Sequence, residues 1–266
     1  MGTKNKFKFH LLFLVAKITR IFHPYGTERF LRLICNPDSA KGFDTVIPYD
    51  KTLKININIS FFIEWVIFFK GFYEKSLIKT VKKFFPKGGV FVDVGANIGC
   101  VSLIAAKTAK QVIAIEPISW IAERLQNNFN LNNLTNTKVI QCVASDKKGV
   151  VPFYCPFGDK INDGMGSLYK DRSKGKEIKI EMKTLDEILG DTKVDFIKID
   201  TEGHDKNVIM GAKEIIKKNR PFIVYEYAED SEGFSEISQK EVSSFLCGLG
   251  YELKWIDGIN MLCIPK

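Results

Sequence analysis

The chain has six cysteines, Cys35, Cys100, Cys142, Cys155, Cys247 and Cys263, but no C-x-x-C pair. Several fall inside apolar strand or helix patterns, so they read as reduced core thiols of a cytoplasmic protein and exclude a zinc ribbon or a disulfide frame. Also missing is an apolar run of the ~20 residues that span a bilayer. The run at 11–16 is short and no small-residue cleavage site follows it, while the run at 61–69 carries Glu64 and reads as core or a substrate-pocket wall. No RNP-like sequence, zinc finger or helix-turn-helix pattern stands out, and no internal repeat or low-complexity linker is visible. The net charge of +8 therefore does not indicate nucleic acid. Its carriers cluster at Lys4, Lys6, Lys8, Lys17 and Arg20, at Lys79, Lys82 and Lys83, and at Lys170, Arg172, Lys174 and Lys176, which read as solvated faces.

What is present is a strand-then-helix texture from residue 89 onward, in a chain of 266 residues that is 45% hydrophobic. This argues for one α/β unit behind an N-terminal extension, with the boundary between residues 70 and 71. The extension reads as helical. Its first 23 residues mix basic and apolar side chains, which suits a helix packed on the rest of the protein or a basic amphipathic helix lying peripherally on an anionic membrane.

The most informative stretch is V-F-V-D-V-G-A-N-I-G at 90–99, an apolar strand with an acid near its tip that turns on glycines into an apolar helix. Asp93 followed by Gly95, Asn97 and Gly99 suits a ligand with an ammonium group and a ribose, of which S-adenosylmethionine is the leading example. The rival is a dinucleotide, whose G-x-G-x-x-G fingerprint lays a pyrophosphate on a helix N-terminus. Here the spacing is D-x-G-x-x-x-G, so a pyrophosphate would meet a carboxylate. The next apolar run, 111–115, ends in Glu116-Pro117, about where an acid reaches the ribose hydroxyls in such folds.

Further strands are expected at 138–143, 195–200, 221–226, 252–256 and 260–264, with helices at 100–107, 118–130, 205–219 and 239–249 and a short capped helix after Thr184. The order is that of a doubly wound sheet with right-handed crossovers. Residues 150–154 and 177–182 read as a β-hairpin insertion whose polar tip, including Ser167, reaches an acceptor or is simply a solvated turn.

With these pieces placed, the chain resembles the FkbM-type family of S-adenosylmethionine-dependent methyltransferases. The residues that carry the resemblance are D-V-G-A-N-I-G at 93–99, Glu116-Pro117, Asn128, A-S-D at 144–146, T-L-D at 184–186, K-I-D-T-E-G-H-D at 198–205, and Arg220-Pro221 leading to Glu226. They span residues 71–265. The resemblance implies a Rossmann-like class I methyltransferase sheet with helices on both faces, and most often O-methylation of a sugar or polyketide hydroxyl.

In that frame Asp93 is expected to meet the methionine ammonium directly or through water, Glu116 the ribose, and Ser145 or Asp146 the adenine amino group. An alcohol nucleophile must lose its proton, so a positioned base is expected. Asp200, Glu202 and His204 lie in one strand-to-helix turn with Asp205, and His204 has the ordinary pKa best matched to the task, with Asp200 or Glu202 orienting it or binding the hydroxyl. The same acids could hold Mg²⁺, which prefers oxygen ligands, although the resemblance does not require a metal. Glu226 and Tyr73 are expected at the acceptor. N-methylation of a small amine and a catalytically silent membrane-associated scaffold are the competing readings.

Overall fold

A computed structural model describes residues 3–22, 27–37, 43–155, 168, 176–227 and 237–266. These fall into two units, one up to Tyr73 and one from Glu74 onward.

The first unit contains helices α1 (Thr3–Ile21) and α2 (Thr27–Ile34), strands β1 (Asp44–Tyr49) and β2 (Leu53–Asn58), and helix α3 (Phe62–Lys70). The strands form an antiparallel hairpin with Asp44 opposite Asn58 and Tyr49 opposite Leu53, turning through Asp50 and Lys51 in left-handed conformations. The extension is thus helical, as expected, apart from this hairpin. The signal lies in β2, where Leu53, Ile55 and Ile57 alternate with Lys54, Asn56 and Asn58 and point inward. Helix α3, the 61–69 run, buries Trp65 through Phe69. Its end is gripped by α1: Thr19 Oγ1 donates to the Phe69 carbonyl at 2.7 Å, and the Arg20 guanidinium donates twice to the Phe68 carbonyl, at 2.9 and 2.8 Å.

The second unit is built on a seven-stranded sheet in the order β11-β12-β10-β9-β3-β4-β5. Its strands are β3 (Val90–Val94), β4 (Gln111–Ile115), β5 (Thr137–Ile140), β9 (Phe196–Ile199), β10 (Phe222–Glu226), β11 (Tyr251–Trp255) and β12 (Asn260–Pro265). Strands β3, β4, β5, β9 and β10 run parallel, and β12 is antiparallel to β10 and β11. Helices cover both faces, as a Rossmann-like α/β fold requires. On one side Phe91, Val112, Phe196 and Val224 pack on α4 (Lys75–Phe84) and α5 (Ser102–Ala106). On the other, Val92, Val94, Ile113, Ile197 and Ile223 pack on α7 (Leu185–Leu189), α8 (Asp205–Met210), α9 (Lys213–Asn219) and α10 (Gln239–Gly248). Helix α6 (Ser119–Leu131) joins β4 to β5.

Two expected elements are divided. The strand expected at 138–143 is β5 followed by β6 (Val143–Ser145), which leaves the main sheet and pairs in parallel with β8 (Lys176–Thr184). Strand β7 (Gly149–Cys155) completes this small sheet antiparallel to β8, and the tip between them, including Ser167, lies outside the described residues. The helix expected at 205–219 is α8 and α9, parted at Gly211 and Ala212. A Cβ on Gly211 would sit 1.8 Å from the Ser145 carbonyl oxygen, so the close approach of β6 requires glycine there. Helix α9 then starts afresh under the Asp186 carboxylate, which accepts from the backbone N–H groups of Glu214 at 3.1 Å and Ile215 at 2.9 Å.

Candidate active site

The direction of the sheet's outward connections reverses at β3, with β4 and β5 on one side and β9 and β10 on the other. Ligands of open α/β sheets bind at the carboxyl edge of such a switch point. The loop after β3 crosses the chain leaving β9 so closely that a Cβ on Gly95 would stand 1.8 Å from the Asp200 carbonyl oxygen. With a φ of +72° as well, Gly95 has no substitute that keeps this path.

Beneath the crossing lies a buried ion cluster. Lys198 Nζ donates to the Gly95 carbonyl at 2.9 Å and stands 3.2 Å from Asp93 Oδ1 and 3.3 Å from Asp200 Oδ2. Burial alone would lower the Lys198 pKa, but Asp93, Asp200 and Glu74 outweigh it and push the pKa up, so the ammonium stays charged. The second Asp93 oxygen accepts from Ser102 Oγ at 2.6 Å. Asp93 is thus tied to Lys198 and α5, beneath the loop expected to receive a ligand ammonium. Lys198 itself was legible as a charge inside the apolar strand 196–199 and as the head of the K-I-D-T-E-G-H-D stretch, with no role assigned to it.

Glu116 stands at the carboxyl edge of β4. Its carboxylate accepts from the Asn97 N–H and the Ile118 N–H, each at 3.0 Å, the first from the glycine loop itself. Burial pushes its pKa up to about 7 despite those two bonds. Asn97 has a left-handed backbone, with its Oδ1 accepting from the Ile98 N–H at 2.7 Å, and Gly99 closes the loop against Leu125. Asn128 braces it from α6 by donating to the Ile98 carbonyl at 3.0 Å.

A second group gathers at the end of β6. Ser145 Oγ, fully buried, donates to Asp146 Oδ1 at 2.9 Å and lies 2.8 Å from His204 Nε2. With the hydroxyl proton on Asp146, the His204 Nε2–H is the donor to Ser145. Asn207 Nδ2 also donates to Asp146 Oδ1 at 2.9 Å. Partial burial raises the Asp146 pKa, but these two hydrogen bonds prevail and hold it low. Burial takes His204 down to about 4, which corrects the expectation of an ordinary histidine pKa. Ser145, from the neighbouring small sheet, is thus one of its partners.

Within that turn, Asp200 keeps a partly exposed side chain and Glu202 has a left-handed backbone, a strained conformation for a non-glycine residue. Asp205 is structural: its carboxylate accepts from Thr201 N–H at 3.2 Å, Thr201 Oγ1 at 2.8 Å and Glu226 N–H at 3.1 Å, tying the turn to the end of β10. Opposite Glu226 in register is Asn260, which bonds the Glu74 carboxyl. Burial and the nearby Asp200 charge push Glu74 up to about 8. Tyr73 belongs to the first unit. Among the described residues, no three His, Cys, Asp or Glu side chains converge as metal ligands.

The family model described as the methyltransferase FkbM domain matches residues 93–253, from Asp93 to the middle of β11. The chain belongs to the FkbM methyltransferase family. Similar proteins include methyltransferase sdnD of Sordaria araneosa, 29% identical over a 161-residue alignment and matched over 48% of this chain and 62% of that one. The 2-O-methyltransferase NoeI of Sinorhizobium fredii is 27% identical over a 157-residue alignment and matched over 53% of this chain and 63% of that one. The chain thus spans about three fifths of the length of either relative. The solved methyltransferase FkbM of Methylobacillus flagellatus aligns with a TM-score of 0.42 at 20% identity, over 66% of this chain and 43% of that one.

Proposed function

We propose that the protein is an S-adenosylmethionine-dependent methyltransferase acting on a hydroxyl of a sugar or glycoconjugate. The observation that carries the cofactor assignment is the buried Glu116 carboxylate, held against the glycine loop by the Asn97 N–H. A pyrophosphate on that loop would face this carboxylate, whereas a ribose offers it hydroxyl donors and a cationic ligand gains from it. When bound, S-adenosylmethionine supplies an electrophilic methyl group on a sulfonium centre.

The chain's residues divide the remaining work. Glu116 takes the ribose hydroxyls, the 95–99 loop lines the methionine portion, and Asp146 meets the adenine amino group, with buried Ser145 fixing its direction. Asp93 and Lys198 position the Gly95 carbonyl and Asp200 from beneath. Asp200 and Glu202 orient the acceptor hydroxyl, Glu226 and Glu74 face the same edge of the sheet, and His204 takes the proton. A base with a pKa near 4 gives little driving force for proton removal, so alignment and exclusion of water carry most of the rate. The similarity to NoeI, a 2-O-methyltransferase, supports transfer to oxygen.

The test is a screen for transfer of labelled methyl groups from S-adenosylmethionine to nucleotide sugars, lipid-linked sugars and small amines. Label on a sugar hydroxyl is the expected result. Label on amines alone, or no transfer from protein that binds S-adenosylhomocysteine, contradicts it.

A further inference from the structure

Helix α1 has two apolar faces, and the packing of the first unit uses one of them. Leu12, Ala16 and Thr19 are buried, and Thr19 and Arg20 are bonded to the end of α3. On the opposite side Leu11, Leu14, Ile18 and Ile21 recur at helical spacing and continue into Phe22, with Leu14 56% and Ile21 69% exposed. Helix α2 repeats the pattern: Leu31 is buried, while Phe30 and Leu33 face solvent, Leu33 at 86% exposure. Single exposed apolar residues need no explanation, but a continuous stripe does.

The charge around the stripe says what covers it. The first acidic residue of the chain is Glu28; before it stand Lys4, Lys6, Lys8, Lys17 and Arg20. Lys17 is exposed on the flank of the stripe beside Ile21, and the exposed Arg29 and Arg32 alternate with Phe30 and Leu33. A stripe edged by cations, whose nearby acid Glu28 is paired with Lys70, matches the interface of an anionic bilayer, where aliphatic side chains enter the acyl boundary and lysine and arginine reach the headgroups. No described helix is long and apolar enough to cross a membrane, so the contact is with its surface.

We infer that the exposed stripe of α1, with Phe30 and Leu33 of α2, docks the protein onto an anionic lipid surface. The inference is independent of the methyl-transfer reading, since none of these residues belongs to the site at the sheet edge.

Co-sedimentation of the full chain with phosphatidylcholine vesicles, with and without phosphatidylserine, tests it. Binding is expected only with phosphatidylserine and is expected to weaken as salt is raised. The double substitution Leu14→Gln with Ile18→Gln should lower the partition coefficient roughly tenfold or more. Lys17→Glu should lower it by a smaller factor. Both variants alter exposed positions, and unchanged circular dichroism checks that they fold. Failure to bind phosphatidylserine vesicles, equal binding to neutral ones, or binding that survives the double substitution overturns the inference. So does a concentration-dependent dimer in light scattering that the double substitution dissolves, because the stripe would then be covered by a second copy of the chain.

Discussion

Asp93 on β3 and Lys198 on β9 are register partners across the parallel pair, and their charged groups meet at 3.2 Å beneath the candidate site. Both face the α5 side of the sheet, where Ser102 donates to the far oxygen of Asp93 and the Gly95 carbonyl accepts a hydrogen bond from Lys198. A buried pair of this kind costs desolvation, and its value is positional: it joins the loop after β3 to the turn after β9.

Removing one partner strands the other. Lys198→Met should lower unfolding stability by about 3 to 5 kcal/mol in urea titrations, because it leaves Asp93 buried without its counter-charge. Adding Asp93→Asn to Lys198→Met should restore part of that loss. A double variant less stable than Lys198→Met would contradict the pairing.

Gly95→Ala should abolish S-adenosylhomocysteine binding. The new methyl would collide with the Asp200 carbonyl oxygen at 1.8 Å, and the positive φ adds strain of about 1 kcal/mol or more. Calorimetry against Gly88→Ala, a control with a similar φ of +75° and open space around it, separates the collision from the strain.

The pH dependence of cofactor affinity should follow Glu116. Burial raises its pKa to about 7, so the free protein carries a largely protonated Glu116 at pH 6. Ribose hydroxyl donors favour the ionised form, so affinity should rise with pH between 6 and 8 and level off above. In Glu116→Gln the rise should disappear. Folding stability runs the other way: the folded-state pKa lies above the unfolded one, so Glu116 favours the fold most below its unfolded pKa and loses that contribution as pH rises through about 7.

His204→Ala should slow methyl transfer by roughly 10²-fold if the imidazole takes the acceptor proton, with S-adenosylhomocysteine affinity unchanged. Because burial holds His204 near 4, its own ionisation should leave the wild-type kcat flat from pH 6 to 8 and depress it only in acid. Ser145→Ala should give a milder loss of the same kind, as it removes the group that orients Nε2. Full activity in His204→Ala, with Asp200→Asn or Glu202→Gln inactive, would move the proton to a carboxylate.

The central strands β3, β4, β9 and β10 were legible because they are largely buried on both faces and read as apolar runs, and the short helix at Thr184 because its hydroxyl caps the Glu187 N–H at 3.1 Å. Glu116 and the glycine loop were legible from spacing alone. What escaped depends on contacts distant in sequence. The break between α8 and α9 comes from Ser145 pressing on Gly211 and from Asp186 capping the new helix, neither visible in a continuous helical pattern. The hairpin at 44–58 carries a period-two signal that the surrounding helices obscured. The ion pair of Asp93 was hidden because its partner lies on a strand a hundred residues later, and His204 loses its ordinary pKa through burial that a turn sequence does not reveal.

The most direct test of the central claim is calorimetric titration of the full chain with S-adenosylhomocysteine and, separately, with NAD. The account predicts one-to-one binding of S-adenosylhomocysteine, weakened by about 1 to 3 kcal/mol in Glu116→Ala as its charge-assisted hydrogen bonds are lost, and no binding of NAD. NAD binding, or an S-adenosylhomocysteine affinity unchanged in Glu116→Ala, would contradict it.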